Sequence, residues 1–261
     1  MRFGQDHSVT VLSFRLGVLW ALGYPDAALA DAECVAKDAC EIGQAATLMF
    51  ALSHTFPNHI HCGNYAAASA QADELVAMAD QKGSLFWRAY GMLGRGLFSA
   101  VAGKPSDAVQ MITSGVAALR STGSTFSTPF YLSYLARAQA ELGQFDDAWR
   151  SIGEALTVIE TTKETFHEAE VYRVAGEIAL KSPEPDTAKA ETCFHRALAV
   201  ARQQQARSWE LRAAMSLARL WRDQGKVQQA RQLLAPVYGW FTEGFDTRDL
   251  REAKALLEEL A

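Results

Sequence analysis

The chain has 261 residues, enough for a sizeable core, and its 49% hydrophobic against 21% charged residues exclude a disordered polymer. A formal net charge of −5 argues against non-specific DNA binding as the main role. The cysteines Cys34, Cys40, Cys62 and Cys193 show no CxxC or knuckle spacing, so they read as reduced core residues of a cytoplasmic protein.

The N-terminus imitates a signal peptide. Arg2 precedes the apolar run Val9–Leu22, and the small residues Ala27–Ala30 follow it. Arg15 interrupts that run, Asp6 occupies what would be the basic region, and the same residues fit a first helical hairpin, so export is rejected. No apolar stretch approaches the ~20 residues of a membrane span.

Glycine then recurs at Gly23, Gly63, Gly103 and Gly143, a strict period of 40. Each is followed five residues later by alanine (Ala28, Ala68, Ala108, Ala148), and the phrase returns as Gly225 and Ala230. A fixed period of this size predicts a solenoid of stacked hairpins. Glycine ends helix A in the left-handed conformation. Asp26, Ser106 and Asp146 are placed to cap helix B, and the alanine lets the two helices approach closely. Helices A are predicted at roughly 8–22, 44–62, 85–102, 128–142, 167–181 and 208–224. Helices B follow at roughly 26–42, 65–81, 106–121, 146–161, 187–204 and 227–238, with a last helix at about 248–260. The fifth turn, Ser182-Pro183-Glu184-Pro185-Asp186, has no glycine and reads as a two-residue loop insertion.

Glycine, an aromatic two residues on, and alanine five on resemble the tetratricopeptide repeat (TPR). Small residues seven before the glycine position fit it too: Gly96, Ala136, Gly176 and Ala218, with Leu16 and Phe56 departing from the pattern. The stretch RSWELRAAMSLARLWRDQGKVQQARQLLAPVYGWFTEGFDTRDLREAKALLEEL, with LGYPDAALA and AETCFHRALAVARQQ, is similar to the C-terminal repeat region of large bacterial signalling proteins. Those proteins join an adenylate/guanylate cyclase or DNA-binding domain to an AAA-type ATPase and then TPRs. The resemblance implies an all-α, right-handed α-solenoid of TPR-like hairpins with a C-terminal capping helix. It would span 1–261 as one body, with repeats at about 8–42, 44–82, 84–122, 127–162, 167–205 and 207–239 and a cap at 240–261. It implies no catalytic activity, because the cyclase and ATPase motifs do not occur in these residues.

The chemical motifs are thin. GKP at 103–105 and GKV at 225–227 lack the remainder of a Walker A loop and read as turns. His167-Glu168 is not continued to a zincin motif. His54, Asn58, His61 and Cys62 share a helix face with irregular ligand spacing, and Pro57 should kink that helix. This segment is expected to carry partly exposed repeat-face residues and no metal, the alternatives being a metal site or a free imidazole pair in a binding groove. Tyr238, Trp240, Phe241 and Phe245 should seal the end beneath the last helix, and Pro236 should kink or end helix B of the sixth repeat.

In TPR folds helices A line the inner wall. The resemblance therefore places Thr10, Phe14, Trp20, Phe50, His54, His61, Tyr90, Leu97, Tyr134, Arg137, Arg173, Glu177, Arg212, Met215, Arg219 and Arg222 on it. The N-terminal half is aromatic. In the C-terminal half Arg137, Arg173, Arg212, Arg219 and Arg222 would form a contiguous basic stripe for an acidic peptide, or for an effector bearing carboxylate or phosphate. The alternative is that these arginines pair with Glu141, Glu177, Glu210 and Asp223. The expected function is a non-enzymatic protein-interaction or sensor module without cofactor, membrane or direct nucleic-acid partner. The other reading is a small-effector receptor domain of a transcriptional regulator.

Overall fold

The A-to-B turns at Gly23, Gly63, Gly103, Gly143 and Gly225 are built the same way, each on a left-handed glycine. In the first such turn after Gly23, Gly63 takes φ +83°, and its N–H and that of Asn64 bond back to Ile60 and His59. The left-handed residue reverses the chain at no steric cost to a residue without Cβ. The computed structural model describes residues 4–261; Arg2 lies outside them. Thirteen helices and no strand occur among the described residues. They pair as α1 (His7–Leu22) with α2 (Pro25–Ile42), α3 (Ala45–Cys62) with α4 (Tyr65–Lys82), and α5 (Leu85–Val101) with α6 (Pro105–Ser121). Then come α7 (Thr128–Glu141) with α8 (Phe145–Thr162), α9 (Glu168–Lys181) with α10 (Thr187–Gln203), α11 (Arg207–Asp223) with α12 (Val227–Tyr238), and α13 (Arg248–Glu259). No described helix is long and apolar enough to cross a membrane.

Two compact units emerge. One holds the chain to Trp20 and Tyr24–Thr125; the other holds Ala21–Gly23 and Phe126–Ala261. In the first unit α3 touches α5 directly, and in the second α9 touches both α7 and α11. Like helices thus adjoin within each unit. Close approach needs missing side chains. A Cβ on Gly96 would lie 2.6 Å from Ile112 Cγ1, and one on Gly176 2.4 Å from the Phe194 ring. Ala108 and Ala148 are fully buried in their hairpins. Phe56, large where the repeat expects a small residue, fits because Gly94 of α5 faces it: a Cβ there would lie 3.2 Å from the ring.

Two expectations need correction. Asp26, Ser106 and Asp146 do not cap their helices: α2, α6 and α8 start earlier, at Pro25, Pro105 and Phe145, and their N-cap residues Tyr24, Lys104 and Gln144 make no side-chain cap bond. Proline needs no N–H partner in the first turn, so it extends the helix. Asp26 and Asp146 still lie in the first turn, where a carboxylate favours the helix dipole. Only in the glycine-free fifth turn does an acid cap helix B, with Asp186 Oδ1 accepting from Lys189 N at 2.8 Å. Cys34 and Cys40 are exposed on α2 rather than in the core. Pro57 and Pro236 lie inside α3 and α12, and α12 ends two residues after Pro236.

The first five B helices also end on a left-handed residue: Gly43, Gly83, Gly123, Lys163 at φ +63° and Gln205 at φ +56°. An L-residue there costs roughly 1–2 kcal/mol. Glycine returns part of that as chain entropy. Lys163→Gly is therefore expected to raise stability by about 0.5–1 kcal/mol, read as a higher urea midpoint. A lower midpoint would mean the lysine side chain itself stabilises the turn.

Candidate functional site

In the first unit the aromatic residues stack on one another. His54 lies 4.2 Å from the Phe50 ring in parallel and 5.0 Å from Phe14 edge-on. Its Nδ1 sits 3.0 Å from Phe50 O. Burial lowers its pKa to about 4, so the ring is neutral at pH 7 and donates there. Trp20 stacks on His61 at 4.1 Å, and Tyr90 packs edge-on to Phe86 at 5.1 Å. The imidazoles of His54 and His61 are engaged with rings, and no group of three metal-ligating residues occurs among the described residues. Trp20, His61 and Tyr90 are buried; Phe14 is half exposed.

The second unit holds a chain of charge. Arg173 makes a two-pronged bond to Glu170, Nε to Oε2 and Nη2 to Oε1, both at 2.7 Å. Its Nη1 reaches Glu177 and, at 3.3 Å, Ser216 Oγ. Arg212 Nε donates to Asp249 Oδ2 at 2.6 Å, and its Nη1 lies 3.9 Å from Glu170. Arg219 bonds Glu252 at 3.1 Å, while Arg222 bonds Asp223 at 3.0 Å and also Glu259. Burial alone would raise the Glu170 carboxyl; Arg173 and Arg212 overcome it and hold the pKa at about 2. Tyr134, buried nearby, is pushed above its ordinary value by desolvation.

The arginines therefore do not form an unpaired basic stripe. Arg173 and Arg212 are only 8% and 9% exposed, and Arg219 and Arg222, though partly exposed, are each matched by a carboxylate. The physical reason is register. Arg212, Arg219 and Arg222 are spaced seven and three along α11; Asp249, Glu252 and Glu259 are spaced three and seven along α13. The pairs ascend both helices in the same direction, so α13 runs parallel to α11 with carboxylates facing guanidiniums.

Arg137 is the exception. Its one ion pair among the described residues is a loose one, Nε 3.7 Å from Glu141 Oε1, and Lys181 Nζ reaches the same oxygen at 3.6 Å. Both distances exceed a hydrogen bond. Arg137, Glu141, Glu177 and Lys181 line a cleft of about 350 Å³ at the C-terminal ends of α7 and α9, floored by Ala140, Val174, Ile178 and Leu180.

No protein-family model matches the chain, and no curated protein matches it. Among solved structures, the apo form of RapI superposes with a TM-score of 0.64, covering 99% of this chain and 88% of that one at 12% identity. The fold is TPR-like. At that identity the likeness concerns the helical-repeat fold alone.

Within this TPR-like frame, the residues sequence reasoning missed are the acids of α13. The signal available in the sequence was the presence of three acids, Asp249, Glu252 and Glu259, on the helix that follows the arginine-rich hairpin. At the C-terminal end Phe241 is buried with Leu250, Ala253 and Leu256, whereas Trp240 and Phe245 stay partly exposed. Phe241, with Tyr238 packed against the same cluster, seals this end.

Proposed function

We propose that the chain is a non-enzymatic protein-interaction and regulatory module, part or relative of a bacterial signalling ATPase or nucleotide cyclase acting in the cytoplasm. The observation that carries this reading is the tandem register within each unit: α3 lies beside α5 in one, and α9 lies beside both α7 and α11 in the other, which makes a surface of adjoining A helices for a partner. The likeness of the C-terminal stretch to the repeat regions of such signalling proteins supports the parent class. Of the inner-wall candidates, Arg137, Arg219 and Arg222 are accessible enough to meet a partner, an acidic one by their charge. Trp20, His54, His61, Tyr90, Tyr134, Arg173 and Arg212 would act from beneath, fixing the A helices in place.

Photo-crosslinking in cells tests this. A benzoyl-phenylalanine placed at Arg137 or Arg219 should capture a discrete protein partner. The same probe at Glu160 or Arg231, exposed on the B helices, should not. Crosslinks from the B-helix sites alone would overturn the A-face reading, and crosslinks from none of the four sites would overturn the interaction reading itself. Nucleotide turnover by the purified chain would overturn the non-enzymatic one. The second reading, a receptor for a small effector, is favoured by one specific observation, the cleft beside Arg137.

A further inference from the structure

We infer that the cleft between the C-terminal ends of α7 and α9 binds a small, net-neutral amphoteric ligand of the free amino-acid class with an aliphatic side chain. This rests on the regulatory reading and adds to it the chemistry of an effector.

Three features of the cleft select that class. The first is spare capacity. The arginines of the neighbouring charge chain have their donors committed at 2.6–3.3 Å. Arg137 has no hydrogen bond among the described residues, and Lys181 meets only Glu141, at 3.6 Å. A ligand carboxylate can take the guanidinium fork of Arg137 without breaking a formed hydrogen bond.

The second is balance. The walls carry two cations, Arg137 and Lys181, and two anions, Glu141 and Glu177. A lone carboxylate bound at Arg137 would face Glu141 across the same contact. A lone ammonium bound at Glu141 would face Arg137 and Lys181. A zwitterion satisfies both signs: its carboxylate on Arg137 frees Glu141 for its ammonium. The C-terminal ends of two helices also carry partial negative charge, which favours the ammonium there.

The third is size and floor. About 350 Å³ lies at the lower end of the ~300–1,000 Å³ range of ligand pockets, so one residue fits and a long peptide does not. Val174, Ile178, Ala140 and Leu180 offer an aliphatic seat and no buried polar partner for a hydroxylated side chain.

Calorimetric titration of the full chain tests the inference with three probes of one carbon skeleton: L-leucine, 4-methylpentanoate lacking the ammonium, and 3-methylbutylamine lacking the carboxylate. Leucine should bind at least tenfold more tightly than either analogue. Arg137→Gln and, separately, Glu141→Gln should each weaken leucine at least tenfold while leaving the melting temperature of the free chain within a few degrees, because both groups are loosely paired. No leucine heat, equal affinity for all three probes, or wild-type affinity in both variants would overturn the inference. The outcome is separable from the interaction reading. Crosslinks at Arg219 without leucine binding remove the ligand and leave the module. Leucine binding without any crosslink keeps the ligand site and removes the partner surface.

Discussion

Arg173→Ala is expected to lower folding stability by about 3–5 kcal/mol. The guanidinium bonds Glu170, Glu177 and Ser216, and Glu170 is only 3% exposed. Removing the cation leaves that carboxylate in a low-dielectric site with Arg212 at 3.9 Å and, further off, Arg137 as its remaining cations. The cost is the desolvation of an undercompensated charge, not the worth of a contact. The pH dependence carries its own signature. In the wild type the folded pKa of Glu170, about 2, lies below the unfolded value near 4.5. Its contribution is therefore fully present above about pH 4.5 and is lost as pH falls towards 2. Without Arg173, burial dominates and raises the carboxyl, so protonation relieves the variant instead. Urea unfolding at pH 7 and pH 5 should show the gap between wild type and Arg173→Ala narrowing at the lower pH. A cost under about 1 kcal/mol at pH 7 would mean that water reaches Glu170.

Helix positions were legible because the signal was local and repeated. Gly23, Gly63, Gly103 and Gly143 each fixed a turn, and α3 or α10 ends within a residue or two of where the period put it. The caps were misread because Pro25 and Pro105 can start a helix without a donor, an option that a capping rule based on side-chain oxygens overlooks. The candidate site was harder for a different reason. Helical register said which face Arg173 and Arg212 occupy. What neutralises them lies 37 residues away on α13 for Arg212, and on the preceding turn of α9 for Arg173. Inner-wall position and availability are distinct properties. The first follows from spacing; the second follows from pairing and burial. Arg137, unremarkable in the sequence among the five arginines of the expected stripe, stands out only once its weak contact with Glu141 and the open space beside it are known.

Gly176→Ala is expected to destabilise the chain by about 1–3 kcal/mol, against its intrinsic preference. Alanine is the better helix former by roughly 0.8–1 kcal/mol, so an exposed helical glycine gains from the change. Gly153 on α8 supplies the control: nothing lies within 4 Å of where its Cβ would be, and Gly153→Ala should stabilise by about 0.5–1 kcal/mol. At Gly176 the added Cβ would meet Phe194 Cε1 at 2.4 Å, Cδ1 at 2.7 Å and Cζ at 2.9 Å. The ring is fully buried among Ala190, Ala197 and Leu198, so it cannot swing clear and α9 must move off α10. The partner mutation decides the mechanism. Phe194→Leu alone leaves a cavity and destabilises, but in the Gly176→Ala background the smaller side chain accepts the methyl. The double-mutant cycle should show favourable coupling of at least about 1 kcal/mol. Additive costs would mean that Gly176 is retained for some reason other than the approach of α9 to Phe194. The close packing of small residues against large ones would then no longer explain how helices A and B of this hairpin hold their register.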